Sequence, residues 1–277
     1  MKKFKQSAFS RFFVFFPKMF LSGLIYSAAL AFFTGLFVLI SYIVKYNNII
    51  IWGLGIIPSF PFYAGLVTVI RKYLLEKQTP PLLKTFFGAV KNNIKRFLIH
   101  GAVLYMVVAF GTFAIIYYYT LAQTDVVFSS VLTIYMIFEA VLIVVMFYVP
   151  IMEVTYELKL VDVYKNAFLL VFGKILRNLA ALAALAAVTA VFALALVFAK
   201  GVWYIAAVIA VALYPLLYCA VSNMIISKGL QDSVGSFTQK PIDEEKLEEQ
   251  RRLDNLAVEN DRSDSDYVFV NGRMIKK

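Results

Sequence analysis

Residues 84–119 of the chain read KTFFGAVKNNIKRFLIHGAVLYMVVAFGTFAIIYYY. The first part places Lys84, Lys91 and Lys95 on one side of a helix and apolar residues on the other, as in helices that lie on a membrane surface. The second part, 98–119, is apolar and long enough to cross about 30 Å of hydrocarbon at about 1.5 Å per residue. The sequence therefore predicts a basic surface helix that runs into a membrane span.

Long apolar runs of this kind recur along the chain. They predict six spans, at 19–44, 49–70, 98–119, 130–152, 175–199 and 202–226. Hydrophobic residues make up 61% of the 277 positions, whereas about half is usual in soluble domains. The predicted fold class is all-α, a polytopic helical membrane protein with amphipathic inner-leaflet helices. An interfacial segment is expected at 1–18, the membrane domain at 19–226 and a polar cytoplasmic tail at 227–277.

Lysine and arginine are unevenly distributed among the gaps between these runs. Sixteen of them lie before the first run, in the gap 71–97, or in the gap 153–174 with the start of the next helix. The gaps on the opposite face hold only Lys45 and Lys200. Because short cytoplasmic loops carry the excess of Lys and Arg, both termini are predicted to be cytoplasmic. Trp52 and Trp203 lie at the other ends of their spans, where aromatic rings favour the interface.

The net charge of +10 does not indicate a nucleic-acid partner, because of where it lies. Up to Ile226 the balance of basic over acidic residues is +12, and from Ser227 onwards it is −2. The excess therefore follows the membrane segments, where it reports orientation and attraction to anionic lipid. The lipid bilayer is the expected partner, and nucleic-acid binding is not expected.

Signatures of enzymes and metal sites are missing from the sequence. His100 is the only histidine and Cys219 the only cysteine, so a thiolate metal cluster, a His-rich metal site and a Ser/His/Asp triad are disfavoured. No Walker loop, GxGxxG, HExxH or GxSxG motif occurs. A packed cysteine and a histidine near the headgroups are the simpler interpretations. We expect no catalytic residue, no cofactor and no metal.

Glu139 is the one formal charge deep within a predicted span. A charge near the membrane centre costs at least about 2.5 kcal/mol, so this carboxyl needs a partner, a proton or a water-filled cavity. Glu153 and Glu157 follow on nearly the same helical face, and Asp125 precedes it by fourteen residues. Two interpretations stay open: a proton or cation path along this face, or a neutral Glu139 that locks helix packing while the other acids are solvated.

Prolines and small residues mark two further features of the spans. Pro58 and Pro61 are expected to interrupt the second span, either as a broken helix beside a binding site or as a simple kink. Along the first span, small residues recur every four positions and predict close helix contact, either internal or between protomers; they are Gly23, Ser27, Ala31 and Gly35.

The basic residues of the quoted stretch are expected at the inner leaflet; they are Lys84, Lys91, Lys95 and Arg96. There they would anchor and orient the spans, and docking of a cytoplasmic partner subunit is the alternative. A shift of 81 residues superposes part of this region on a later one, with Lys84, Phe87, Val90, Ile94 and Arg96 on Lys165, Phe168, Val171, Ile175 and Arg177. Two explanations stay open. Either a unit made of a span, a surface helix and a second span occurs twice in the chain, or the matches are due to chance.

The tail ends in two β-prone runs on either side of Asn271-Gly272. Asn-Gly between such runs favours a two-residue hairpin. A short C-terminal β-hairpin is therefore predicted, and because an isolated hairpin is marginal in water, it is expected to dock on the protein or on a partner or to stay disordered.

Four short stretches carry a resemblance to a known family: PSFPFYAGL at 58–66, VIRKY at 69–73, KTFF at 84–87 and KNNIKR at 91–96. Over roughly residues 15–230 the chain resembles the YesL-type bacterial integral membrane proteins, a family of unknown function often encoded beside carbohydrate-uptake systems of Gram-positive bacteria. The resemblance implies a multi-pass plasma-membrane protein, accessory to sugar transport. It supplies no catalytic residue.

Two functions are weighed on these observations. The first is a non-enzymatic accessory or regulatory component associated with carbohydrate uptake, in contact with transporter subunits or with copies of itself. The second is a permease-like subunit that moves solute through a pathway at Glu139 and a helix broken at Pro58 and Pro61. The cytoplasmic Glu-Ala-Ala loop of binding-protein-dependent permeases has no match at Tyr164–Leu169, which disfavours the second.

Overall fold

The computed structural model describes residues 8–46, 48–76, 78–198, 203–233, 267–270 and 273–276. The helices are α1 (Ala8–Ile43), α2 (Ile49–Gly53), α3 (Ile56–Leu74), α4 (Leu82–Ala122), α5 (Val126–Thr155), α6 (Leu160–Gly173), α7 (Ile175–Phe198) and α8 (Trp203–Ser233), and the strands are β1 (Tyr267–Val270) and β2 (Arg273–Lys276). The chain divides into two compact units, one that ends at Leu230 and one that begins at Gln231.

Five stretches of the described residues are long and apolar enough to cross a membrane, and they confirm the membrane-type helices predicted from hydropathy. They are Ser10–Ile43, Ile49–Leu74, Leu82–Ala122, Val126–Thr155 and Ile175–Phe198. In the region of the sixth predicted span, the described apolar stretch is the shorter Leu213–Ile226. Large apolar side chains face outwards along these helices, among them Phe32, Phe110, Phe113 and Ile134. Such surfaces are typical of helices that contact lipid.

The first helix is continuous from Ala8 to Ile43, over 36 residues, and contains Pro17. Residues 8–18, expected to form a separate interfacial segment, therefore belong to the same helix as the predicted span 19–44. At about 1.5 Å per residue this helix is about 54 Å long, well beyond the hydrocarbon thickness.

The second predicted span is broken, but not at its prolines. The interruption lies at Leu54-Gly55, between α2 and α3, whereas Pro58 and Pro61 both lie inside α3. Pro58 occupies the first turn, where a missing N–H costs no helical hydrogen bond. Gly55 also allows a close contact with α1, because a Cβ there would lie only 2.5 Å from the backbone nitrogen of Thr34. Because both prolines lie within α3, the alternative of a helix broken at Pro58 and Pro61 is wrong, and that of a simple kink stays a prediction.

The quoted stretch forms a single helix, α4, of 41 residues. The prediction that the basic amphipathic helix continues into the third span is confirmed. Helix α4 begins at Leu82. Pro81 is the N-cap residue, without a side-chain cap, and its carbonyl accepts hydrogen bonds from Thr85 N at 3.0 Å and Thr85 Oγ1 at 2.8 Å.

Helix α3 packs against α1, α4 and α5. Glycines allow two of the close approaches. A Cβ on Gly65 would overlap the ring of Phe86 at 2.8 Å, and one on Gly101 would overlap Phe60 Cβ at 2.7 Å. The core beside these contacts contains Phe60, Ala64 and Phe97. Because neither Gly65 nor Gly101 has a side chain, α3 and α4 approach each other closely at both residues. These two contacts hold the amphipathic part of α4 close to α3.

The 81-residue shift superposes some of the buried positions, and a repeat stays a prediction. Four buried positions of α4 fall on four buried positions of α6 and α7: Phe86 on Ala167, Ala89 on Leu170, Phe97 on Asn178 and His100 on Ala181. In α4 the amphipathic part and the apolar part are continuous, whereas α6 and α7 separate at Lys174. Asn178 stabilises this separation, because its Nδ2 donates to the carbonyls of Leu170 and Val171 at 3.1 and 2.8 Å.

The unit that begins at Gln231 contains the pair β1–β2. The strands are antiparallel, with Tyr267 opposite Lys276 and Val270 opposite Arg273. Residues 271–272, which connect them, lie outside the described residues, as do residues 234–266.

Candidate functional site

Four polar side chains from three helices meet where α4, α5 and α6 come together, and we call them the Glu153 cluster: Arg96, His100, Glu153 and Tyr164. Arg96 Nε lies 2.8 Å from Glu153 Oε1. His100 Nε2 lies 3.1 Å from Glu153 Oε2, and His100 Nδ1 lies 2.8 Å from the Tyr164 hydroxyl. The side chains of His100 and Glu153 expose 0% and 2% of their surface, and that of Arg96 exposes 36%.

Helical spacing in α4 and the end of α5 create this arrangement. Arg96 and His100 are four residues apart, so they lie on the same face of α4. Glu153 lies in the last turn of α5, which ends at Thr155. The connection to α6 then passes Arg96, whose Nη2 donates to the carbonyl of Leu158 at 2.7 Å. One arginine therefore ties α4 both to α5 and to the connection that follows it.

One tautomer of His100 gives every hydrogen bond of the cluster a donor and an acceptor. Burial raises the pKa of the Tyr164 hydroxyl far above its ordinary value, and the Glu153 carboxylate raises it further. A protonated Tyr164 donates to Nδ1, which leaves the proton on Nε2 to be donated to Glu153. Glu153 then accepts from both Arg96 and His100, and the charges of Arg96 and Glu153 cancel. This neutrality matters because an unbalanced buried charge is costly.

An open cavity of about 670 Å³ lies over the cluster. Its lining joins polar side chains of α4 to the end of α5 and the connection to α6; it includes Asn92, Asn93, Arg96, Glu153, Glu157 and Lys159. Two of these residues are basic and two are acidic. The cavity thus offers hydrogen-bond donors and acceptors without a net charge.

Sequence reasoning identified Glu153 and Arg96 separately and missed their partners. Arg96 was expected to lie at the inner leaflet with Lys84, Lys91 and Lys95; those three lysines are exposed, whereas Arg96 is partly buried and ion-paired. His100 was expected only as a histidine near the headgroups, whereas it is fully buried, and Tyr164 was not proposed as a site residue. The four-residue spacing of Arg96 and His100 was the available signal, but it does not reveal which residue of a later helix they meet.

Glu139 lies elsewhere on α5 and makes a different contact. It exposes 6% of its surface, and the Tyr135 hydroxyl lies 3.4 Å from its Oε2. Its carboxyl packs on Gly111 of α4, where an added Cβ would overlap it. Fourteen residues separate Glu139 from Glu153, about 21 Å along a helix. The structure does not bring these two acids together.

The other acids proposed for a path along α5 lie at or beyond its ends. Asp125 is the N-cap of α5, and its side chain accepts a hydrogen bond from Val127 N at 2.9 Å. Glu157 follows the end of the helix at Thr155. A continuous helical face from Asp125 to Glu157 is therefore not present.

The small-residue stripe of α1 is buried only in its first half. Gly23 and Ser27 are buried, whereas Ala31 and Gly35 are exposed. Ser27 Oγ donates to the carbonyl of Val211 in α8 at 2.7 Å. Pro215 lies four residues after Val211 and has no N–H to give that carbonyl. The Ser27 hydroxyl therefore replaces the backbone hydrogen bond that the Val211 carbonyl cannot receive from Pro215. This half of the stripe is a contact within the protein, between α1 and α8.

A second cavity lies among the spans, and we call it the central cavity. It has a volume of about 320 Å³ and is lined by α1, α3, α4, α5 and α8. Most of the lining is apolar, with tyrosines from three helices: Tyr26, Tyr63, Tyr214 and Tyr218. Glu139, Pro58 and Pro61 do not line it. Among the described residues, no three His, Cys, Asp or Glu side chains are grouped as a metal site would require.

Comparison with known proteins gives one family match. The model of a family described as a protein of unknown function, DUF624, matches residues 30–117. No curated protein and no solved structure matches the chain. The matched segment extends from the middle of α1 through most of α4. It therefore includes Arg96 and His100, while Glu153 and Tyr164 lie outside it.

Proposed function

We propose that this chain is a non-enzymatic accessory or regulatory protein of the bacterial plasma membrane that acts beside a carbohydrate-uptake system. In this proposal the chain has six spans and both termini are cytoplasmic, so the Glu153 cluster and α6 face the cytoplasm. The link to carbohydrate uptake, like the assignment to the YesL type, rests on the sequence resemblance at 58–66 and 91–96.

The observation that carries the accessory role is the outer surface of two amphipathic helices. In α4, Phe87 is exposed beside Lys84 and Lys91, and in α6 the Phe168 and Phe172 rings are exposed beside Lys165. The Glu153 cluster joins these helices through the His100–Tyr164 contact. Exposed aromatic side chains among lysines suit a membrane interface and also a partner subunit at that interface.

Uptake in cells tests this role. Deletion of the gene is expected to reduce uptake of at least one radiolabelled carbohydrate, and the wild-type gene should restore it. A Phe168→Ala/Phe172→Ala double variant, inserted at the normal level, should not restore it. The matched control is Phe113→Ala, at an equally exposed phenylalanine of a candidate span. Unchanged uptake of every carbohydrate after deletion would contradict the proposal.

A permease-like subunit is the second candidate, and the central cavity favours it. The cavity is bordered by five helices, and two of the residues that line it, Pro150 and Pro215, interrupt the hydrogen bonding of α5 and α8. Purified protein in liposomes should then transport solute, and Ile143→Trp should block the cavity. Ile137→Trp, at an exposed position of α5, is the control.

Glu139→Gln separates the roles considered for Glu139. A proton or cation path through this residue predicts loss of transport with normal folding, whereas a packing role predicts a fully active variant. Mild detergent extraction followed by mass spectrometry separates the two candidate functions. A stoichiometric transporter subunit supports the accessory role, and recovery of the chain alone or as a homo-oligomer supports the permease.

A further inference from the structure

Arg11 in the second turn of α1 is buried, with 9% of its surface exposed, and its donors are only partly satisfied. Its Nε donates to the carbonyl of Tyr73, near the end of α3, at 2.8 Å. Its guanidinium carbon lies 5.1 Å from the centroid of the Phe15 ring. Its Nη2 is also buried, and it has no hydrogen-bond partner among the residues that the structure describes.

An unpartnered guanidinium donor in a buried position is unfavourable. Arginine stays protonated under all ordinary conditions, so the group cannot become neutral to relieve the cost. The Tyr73 carbonyl satisfies one donor and the Phe15 ring gives a weaker cation–π contact. The remaining donor needs an acceptor, and a negatively charged oxygen is the one that a guanidinium binds most strongly.

The surrounding charge favours an anion over a neutral acceptor. Lys18 lies two helical turns after Arg11, on the same face of α1, and its Nζ is 5.7 Å from the centroid of the Tyr73 ring. Arg71 is ion-paired with Glu76 at 2.7 Å, so that carboxylate is already occupied. Arg11 and Lys18 therefore flank the buried Tyr73 as two positive charges. Among the described residues at this place, negative partial charge comes from the carbonyl groups at the end of α3. Arg11 Nε already donates to one of them, that of Tyr73.

We infer that the start of α1 and the end of α3, where Arg11 and Lys18 both contact Tyr73, bind the phosphodiester of one anionic membrane lipid. Helix α1 is longer than the hydrocarbon is thick, so its basic end reaches the level of the headgroups. Basic pockets between spans at that level select lipid headgroups, because phosphate oxygens match the guanidinium fork and the positive charge lowers their energy.

Lipid retention by the full chain tests the site. The protein is purified from nanodiscs that contain phosphatidylcholine with phosphatidylglycerol, and bound lipids are counted by native mass spectrometry. One phosphatidylglycerol should remain bound, and Arg11→Gln should weaken its retention by about tenfold, the effect of losing one charge-assisted hydrogen bond. Lys91→Gln, which removes the same charge from an exposed site on α4, should retain the lipid.

The Arg11→Lys variant keeps the positive charge and a donor for the Tyr73 carbonyl but lacks the second guanidinium N–H group that would bind the phosphate. This variant should fold normally and still retain less lipid than the wild type. Thermal melting in detergent identifies the source of the anion: phosphatidylglycerol should raise the melting temperature, whereas inorganic phosphate should not. Equal protection by inorganic phosphate, or equal lipid retention by the wild type, Arg11→Gln and Arg11→Lys, would overturn the inference.

Discussion

Glu153 at the end of α5 accepts a hydrogen bond from Arg96 of α4 at 2.8 Å while its own side chain is almost entirely buried. The same arginine binds the Leu158 carbonyl, and the second carboxylate oxygen faces His100. The contact between α4 and the end of α5 therefore depends on the buried Glu153 carboxylate and on Arg96, which is partly exposed. Removal of either partner leaves the other without its counter-charge in a poorly solvated place.

Arg96→Ala should destabilise the protein by about 2–3 kcal/mol, because Glu153 would stay buried without its counter-charge. Thermal melting in detergent, followed by intrinsic fluorescence, measures the effect. Lys95→Ala changes the neighbouring residue, which is exposed, and should leave the melting temperature nearly unchanged. Equal melting temperatures for the Arg96 and Lys95 variants would show that the ion pair contributes nothing to stability.

Glu139 and Gly111 predict a second, independent effect. Gly111→Ala should destabilise the protein by about 1 kcal/mol or less, because the new methyl group displaces the flexible Glu139 carboxyl and the higher helix propensity of alanine offsets part of that cost. Gly35→Ala is the control, since a Cβ there meets nothing within 4 Å. It should be neutral or slightly stabilising, because alanine has the higher helix propensity.

A double variant shows whether the overlap is the cause. In a Glu139→Ala background the carboxyl is gone, so Gly111→Ala should cost much less than in the wild type. The difference between the two costs is the coupling of the two sites. If Gly111→Ala costs the same in both backgrounds, the two residues are not coupled.

The features that hydropathy reports could be read from the sequence, and the features that depend on contacts between helices could not. The apolar runs predict six spans, and five of them coincide with candidate spans among the described residues, because lipid selects apolar side chains over about twenty positions. The interruption at Leu54-Gly55 was expected at Pro58 and Pro61 instead, because proline is the strongest local signal in this stretch, whereas both prolines lie within α3. For the same reason Glu153 was recognised as an acid of interest, but its pairing with Arg96 and His100 was not.

Tyr164 predicts a dependence of stability on alkaline pH. Burial and the Glu153 carboxylate raise the pKa of Tyr164 in the folded protein, so the unfolded chain ionises first. Ionisation then favours the unfolded state, and stability falls as the pH rises above about 10, the ordinary pKa of tyrosine. Tyr164→Phe should lose less stability over this range than the wild type. Tyr42→Phe, at an exposed tyrosine, should follow the wild type in a pH series of melting temperatures.

Ser27 and Pro215 predict a coupling between α1 and α8. Ser27→Ala should cost about 1 kcal/mol, because the Val211 carbonyl loses the hydroxyl that replaces the bond missing at Pro215. In a Pro215→Ala background the helix regains an N–H for that carbonyl. Ser27→Ala should then cost little, and a double-mutant cycle of melting free energies measures the difference.

Ser22→Ala is the control, because the Ser22 hydroxyl donates to the Met19 carbonyl within α1. The stability lost on Ser22→Ala should be the same with proline or with alanine at position 215. If the stability lost on Ser27→Ala is also the same in both backgrounds, the Ser27 hydroxyl does not replace the helical hydrogen bond that is missing at Pro215.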